Sequence, residues 1–509
     1  MIYTIPNLFM KRSKIYLLIA FSFPLLSFSQ NYSNIDFADR ISEKDLEKNV
    51  KVLCSSKMQG RETGTKGQKN AAAYIYSQFK QFGLKAVDKS QDSLSYFQNF
   101  NLSKLKLPSG RIKVNNKTYH NYKDFVANPI QDSIIQHLDL VFIGNSSIED
   151  YSEVDFTDKA VLFLTTNFHK AFSQAHQIWQ HSKPSFILFN KPIDDCMYNR
   201  YIHTCKSMRY KRFRLKTSTH EQDTIKQTGQ LDLFSYLRTQ QIIPVSTRFA
   251  KAVTGLKLKK LKQIAKNQAE TDLIIKTLKF ELIKNDDIVG TENVMGLIEG
   301  CEKPDEYIVI SAHYDHLGAH KGIVFHGAND NASGTSALIE IAKAFKGACN
   351  KNLRPKRSIL FVAFTGEEKG LLGSKYFVNN SPVPLQSIKT NLNLDMLGRT
   401  DSEHQHTDYI YLLGTSDLNP QLKPISDSLN KLHPKLSLDY EYDQPHNPLY
   451  GASDQASFVE KGIPSIMYFN GIHEDYHTSN DTADKLNYKN IKRISQLVFL
   501  TAWELANQD

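Results

Sequence analysis

Five short segments of the chain hold histidines and carboxylates in an order that could build a metal centre. They are SAHYD at 311–315, GANDNASG at 327–334, TGEE at 365–368, NLDMLGR at 393–399 and DYHT at 475–478. Imidazole nitrogen and carboxylate oxygen are both donors to zinc, and a catalytic site must leave positions open for water and substrate. His313, Asp330, Glu368, Asp395 and His477 supply a ligand set sufficient for two ions, with a carboxylate such as Asp330 able to bridge them. Two neighbouring ions can acidify a shared water while one also polarises a carbonyl, a combination suited to amide hydrolysis. Glu367 stands beside Glu368, so one of the pair can bind metal while the other takes the proton of the water, as general-base catalysis requires. Asp315 follows His313 by two residues, on the same side of an extended strand, where it could accept the other imidazole N–H.

Each segment has an ordinary reading when taken alone. A Glu-Glu pair is commonly a solvated surface feature, and 327–334 could be a turn and helix start with Ser333 as N-cap. His316, His320 and His326 crowd the same region, so not every histidine there need bind. The joint occurrence of the segments, each just beyond a predicted strand, is what points to a metal site, because open α/β sheets gather ligands at the carboxyl ends of their strands.

Those strands are short apolar runs at 307–312, 359–364 and 465–469, alternating with helical patterns from Asn293 onward. One helix after Ser333 puts Ala337, Leu338, Ile341, Ala342 and Phe345 on a single face; a last helix does the same with Ile491, Ile494, Leu497, Val498 and Leu505. The pattern predicts an α/β mixed-sheet sandwich. Upstream, Ala71, Ile75, Phe79 and Phe82 make one apolar helix face over 66–82, stopped at Gly83. From 105 to 277 the texture changes to short β-rich runs such as 140–143, 160–164 and 186–189, ending in a Lys-rich helical stretch at 248–268, which reads as a smaller separate domain. The expected organisation is therefore a leader at 1–29, the first part of the catalytic domain at 30–104, the insertion at 105–277 and the main catalytic part at 278–509.

With 509 residues, 40% of them hydrophobic, the chain can build more than one core. Lys11, Arg12 and Lys14 precede an apolar run from Ile15 to Phe28 with a small-residue exit before Gln30, the layout of a cleaved secretory signal. No later run is long enough to span a bilayer, so the expected location is secreted or periplasmic. Among five cysteines, Cys196 and Cys205 are close enough in sequence to pair, and the odd count leaves a thiol over. The net charge is +10, and seven Lys or Arg fall between Cys196 and His220 with no acidic residue. Export and the lack of a nucleic-acid motif favour a solvated basic face over nucleic-acid binding.

Taken together, the five segments resemble the co-catalytic di-zinc exopeptidases, the family that includes bacterial leucyl aminopeptidases, plasma glutamate carboxypeptidase and the related glutaminyl cyclases. The resemblance extends to GRETGTKG at 60–67 with its helix, and the β-rich middle resembles the inserted protease-associated domain of longer members. It implies one zinc on His313, Asp330 and Asp395 and another on Asp330, Glu368 and His477, with Glu367 as general base and Asp315 as orienter. Cobalt or manganese remain alternatives in so carboxylate-rich a site. The family pattern also implies an oxyanion role for Tyr450, placed before Ser453-Asp454-Gln455, with Tyr476 as second choice; Gln455 departs from the histidine common there. The activity implied is release of N-terminal residues from peptides. A cyclase or carboxypeptidase of the same superfamily, or a noncatalytic binding protein, are the competing readings.

Overall fold

Alternating side chains of the strand Lys303–His313 enter two different cores: Ile308, Ile310 and Ala312 pack on one face, Tyr307 and Val309 on the other. A strand buried on both faces must sit in the middle of a sheet covered by helices. In the computed structural model, which describes residues 33–89, 93–106, 108–127, 133–145, 153–192, 198–199, 202, 213–215, 242–267 and 272–509, this strand lies fifth in a nine-stranded mixed sheet. The order is Ser437–Asp439, Tyr409–Leu413, Ser465–Phe469, Ile388–Asp395, Lys303–His313, Arg357–Phe364, Asp287–Ile298, Phe97–Lys104 and Phe213–Leu215. The four strands from Ser465–Phe469 to Arg357–Phe364 are mutually parallel, so their C-terminal ends emerge along one edge.

Helices Lys66–Phe82, Gly334–Cys349 and Tyr488–Asn507 supply Ala71, Ile75, Phe79, Leu338, Phe345, Leu497 and Phe499 to the larger core. The first of them ends at Gly83, whose φ of +77° is the left-handed conformation a helix stop commonly uses. On the opposite face Phe364, Phe377 and Phe458 stack against Val309 and Val362. The molecule is thus an α/β sandwich around a mixed sheet.

A second sheet of seven strands holds the β-rich middle of the chain: Lys117–His120, Ser109–Val114, Ile274–Ile283, Ile134–Phe142, Ala160–Leu164, Phe186–Asn190 and Ile242–Pro244. The domain limit expected at 277 falls inside the strand Ile274–Ile283, which pairs along its length with Ile134–Phe142, so the sheet continues to 283. The Lys-rich helical stretch is two helices, Thr247–Thr254 and Leu258–Ala265, separated at Gly255. Three residues of the basic stretch, Phe213–Leu215, do not join this sheet. They pair with Phe97–Lys104 at the edge of the larger one, where Phe213 packs on Phe100, Leu102 and Leu372. The leader, Cys196 and Cys205 lie outside the described residues; Cys54, Cys301 and Cys349 are free thiols. Among the described residues no helix is long and apolar enough to cross a membrane.

Candidate metal centre

His313 and Asp395 are the last residues of adjacent parallel strands, and Glu367 and Glu368 follow directly on the end of a third, Arg357–Phe364. Asp330 lies in the turn Ala328–Ser333 that leads into the helix Gly334–Cys349, and His477 comes from the loop after Ser465–Phe469. The edge of the sheet thus brings all five expected donors together. Asp330 stands between two groups. Its Oδ1 is 3.3 Å from His313 Nε2, which is also 3.3 Å from Asp395 Oδ1; its Oδ2 is 3.0 Å from His477 Nε2, which is 3.3 Å from Glu368 Oε2.

The orientation of His313 comes from a different atom than expected. Its Nδ1–H donates to the backbone carbonyl of Asp315 at 3.2 Å, whereas the carboxylate Oδ1 is 3.9 Å away. That carboxylate instead accepts from the Thr63 hydroxyl at 2.7 Å and from the Glu367 amide at 3.2 Å. The carbonyl fixes a protonated Nδ1 and leaves Nε2 facing Asp330 and Asp395. Ser333 does not cap the helix; its hydroxyl donates to the Asn329 carbonyl, and Asn331 Oδ1 accepts from the Gly334 amide.

Several residues outside the five segments hold the donors in place. Asp481 accepts from the amides of Asn329 and Asp330. Arg61, fully buried, donates to the carbonyls of Leu53, Tyr314, His326 and Gly327 and so ties the chain start to both metal loops. Gly327 is required in its left-handed turn, because a Cβ there would lie 2.3 Å from the Asp330 carbonyl oxygen. Of the three crowded histidines, His316 reaches the centre, with Nδ1 2.7 Å from Glu368 Oε1; His326 donates to the Cys54 carbonyl, and His320 sits on a two-stranded ribbon with Ile323–Val324. No local signal in the sequence separates these three.

Burial pushes Glu367 well above the carboxylate range, and the charges of Glu368, Asp395 and Asp454 add to it. Burial lowers His313, but Asp395 and Glu367 outweigh it and leave its pKa well above the ordinary imidazole value. Four buried carboxylates in one space call for positive charge, which protons or bound cations can supply. Asp395 Oδ1 is buried and accepts no hydrogen bond, while lying 3.3 Å from His313 Nε2. Donors about 2.0–2.2 Å from one tetrahedral zinc ion stand roughly 3.3–3.6 Å apart, which the three 3.3 Å spacings fit, the 3.0 Å spacing of His477 and Asp330 being shorter.

The two tyrosines differ. Tyr450 donates its hydroxyl to Asp417 at 3.2 Å; burial raises its pKa, followed by Asp417 and Asp443. Tyr476 stacks on the His477 ring at 3.8 Å, and burial, then Asp330, Glu368, Glu367 and Asp395, raise its pKa. Gln455 spans Asn393 and the Tyr450 carbonyl, accepting from the first and donating to the second. Arg399 is committed to Asp475 at 2.9 Å, which also holds Lys485.

Imidazoles and carboxylates in two sets, on the carboxyl edge of a helix-covered sheet, give an α/β sandwich with the donors of a metal centre at its sheet edge. Residues 293–502 match the model of Peptidase family M28. The chain is 26% identical over 290 residues to Aminopeptidase YwaD of Bacillus subtilis, covering 55% of this chain and 58% of that one. It is 26% identical over 244 residues to a probable zinc metalloprotease of Pyrenophora teres f. teres, covering 43% and 49%. These alignments span about half the length of the curated relatives. The solved aminopeptidase from Aneurinibacillus sp. strain AM-1 superposes with a TM-score of 0.51 at 17% identity, over 94% of this chain and 97% of that one, a likeness of fold alone.

Proposed function

We propose that the protein is an exported, zinc-dependent aminopeptidase that removes single residues from the free N-termini of peptides, using two zinc ions. The observation that carries this reading is the division of Asp330, whose two oxygens face different histidines, as a carboxylate shared by two ions does. His313 and Asp395 would complete one ion's set, Glu368 and His477 the other's. When bound, zinc supplies Lewis acidity for water and for the scissile carbonyl. Glu367 is the general base: half-buried at the Glu367–Glu368 turn and 3.9 Å from His313 Nε2, it takes a proton from the attacking water and passes it to the leaving amine. Its backbone is fixed by Asp315, which is thus a positioning residue for Glu367. Tyr450 is the proposed oxyanion donor, with Tyr476, which lies within the charges of Asp330, Glu368, Glu367 and Asp395, as second choice.

Preference for an amino end follows from charge. The centre gathers carboxylates, which attract a protonated α-amine, whereas a C-terminal carboxylate needs a free cationic clamp. Arg399, the cation within the segments, braces Asp475 instead, which argues against a carboxypeptidase. The assay compares one peptide with its N-acetylated and C-amidated forms, with and without chelator. Acetylation abolishes residue release, amidation leaves it intact, and chelation stops it. Cleavage that survives acetylation and fails on amidation refutes the aminopeptidase reading, and conversion of N-terminal Gln to pyroglutamate without residue release replaces it with a cyclase. N-terminal sequencing of the mature protein checks export: the chain should begin near Gln30.

A further inference from the structure

Glu368 is addressed by two imidazoles, one on each oxygen. His477 Nε2 lies 3.3 Å from Oε2, and His316 Nδ1 lies 2.7 Å from Oε1 and 3.6 Å from Asp330 Oδ2. These spacings belong to different relationships. The 3.3 Å contacts of His477 with Glu368 and of His313 with Asp330 and Asp395 are near those of donors sharing a tetrahedral ion, and the 3.0 Å contact of His477 with Asp330 is shorter; His316, Asp330 and Glu368 are themselves close enough together to hold an ion. A separation of 2.7 Å is instead that of a charge-assisted N–H···O⁻ hydrogen bond.

The His316 ring is held for this purpose from several sides. It is fully buried, its amide donates to the Arg61 carbonyl at 3.3 Å, and the His477 ring meets it edge-on with centroids 5.8 Å apart. A Cβ on Gly327 would lie 2.5 Å from two of its ring carbons, so the bare glycine is what admits the ring. A glutamate has three side-chain torsions, and a carboxylate among neighbours of like charge has no intrinsic reason to present one chosen oxygen to an ion. A donor fixed on Oε1 supplies that reason.

We infer that His316 is a positioning residue that donates its Nδ1–H to Glu368 Oε1 and thereby aims Oε2, with His477 and Asp330, at the second zinc ion. The inference rests on the two-ion reading, and the experiment separates the two. Zinc binding to the metal-free full-length protein is followed by competition with a chromophoric chelator, in wild type, His316→Phe and His316→Asn. Phenylalanine fills the space without donating; asparagine places an amide N–H near the position of Nδ1. The wild type takes up two ions. His316→Phe weakens one of them by about 10- to 100-fold, the loss that removal of an outer hydrogen bond to a metal ligand commonly brings, and leaves the other unchanged. His316→Asn keeps wild-type affinity, and its Co2+ absorption bands, which report ligand number, match those of wild type even should the Phe variant fail to fold. Two ions bound by the Phe variant as tightly as by wild type overturn the role of His316. An Asn variant as weak as the Phe variant, with altered Co2+ bands, makes His316 a ligand and overturns its assignment as a donor. A wild type that binds a single ion removes the two-ion reading and this inference together.

Discussion

Both sheets of the chain contain four neighbouring parallel strands, yet their carboxyl edges are furnished differently. In the larger sheet those edges end in His313, Asp395 and the Glu367–Glu368 turn, buried charges that oppose one another across a small space. In the smaller sheet the corresponding strands are Ile134–Phe142, Ala160–Leu164, Phe186–Asn190 and Ile242–Pro244. They lead into amides and hydroxyls that close on nearby backbone: Asn145 donates to the Ala265 carbonyl, Thr165 to that of Asn167, and Asn190 to that of Val245. Among the described residues, the groupings able to hold a metal ion all lie at the larger sheet. The same strand arrangement therefore carries metal-type donors in one place and, in the other, amides and hydroxyls beside a cavity of about 600 Å³ lined by Asn145, Thr165 and Ala265. Parallel strands provide a crevice, and the residue types at its rim decide whether anything happens there.

Substitutions test that contrast. The largest effect is expected for Asp330→Ala, which removes the carboxylate shared by both donor sets: elemental analysis should find both ions lost, and turnover should fall by at least about 10³-fold. An active Asp330→Ala enzyme under metal-depleted conditions breaks the bridging role. Glu367→Gln keeps shape and loses the proton acceptor, so kcat should drop by roughly 10²–10⁴-fold while metal content stays at the wild-type level. Loss of the metals with the activity would exchange the roles of Glu367 and Glu368. Asp481→Ala leaves the Asn329 and Asp330 amides unpaired in a buried turn; zinc affinity is expected to weaken by about 10- to 100-fold, measured by chelator competition. At the other sheet, Phe163→Ala empties a buried position stacked on Phe189 and should cost about 3–5 kcal/mol in unfolding experiments. Metal content and kcat of the folded protein should not change. A fall in kcat there would show that the smaller sheet takes part in the reaction and is more than packing.

The five residues that meet at the sheet edge could be singled out because each depends on short-range facts: a side-chain type, its place just past a buried apolar run, and a turn composition rich in Gly and Asn. The runs at 160–164 and 465–469 are the observed strands, and the helix 66–82 is the observed helix, since apolar period and a terminating glycine act within one or two turns. The limit at 277 was misplaced because Thr277 lies inside a strand whose exposed and buried residues alternate irregularly, leaving little periodic signal at its end.

Sequence by itself determined the chemical inventory of this protein and its order along the chain: which imidazoles and carboxylates follow which strands, and that a mixed α/β sandwich would carry them. Tertiary structure alone decided which of His316, His320 and His326 meets Glu368, that Arg61 would bind the Tyr314 carbonyl 253 residues away, and that Asp315 would hold Glu367 through its carboxylate and His313 through its carbonyl. It also carried Phe213 out of the basic stretch to the edge of the larger sheet. The physical reason is range. Propensity and periodicity act between neighbours on one element, whereas a hydrogen bond between distant segments exists only after burial has brought them together and withdrawn the water that would otherwise satisfy each partner.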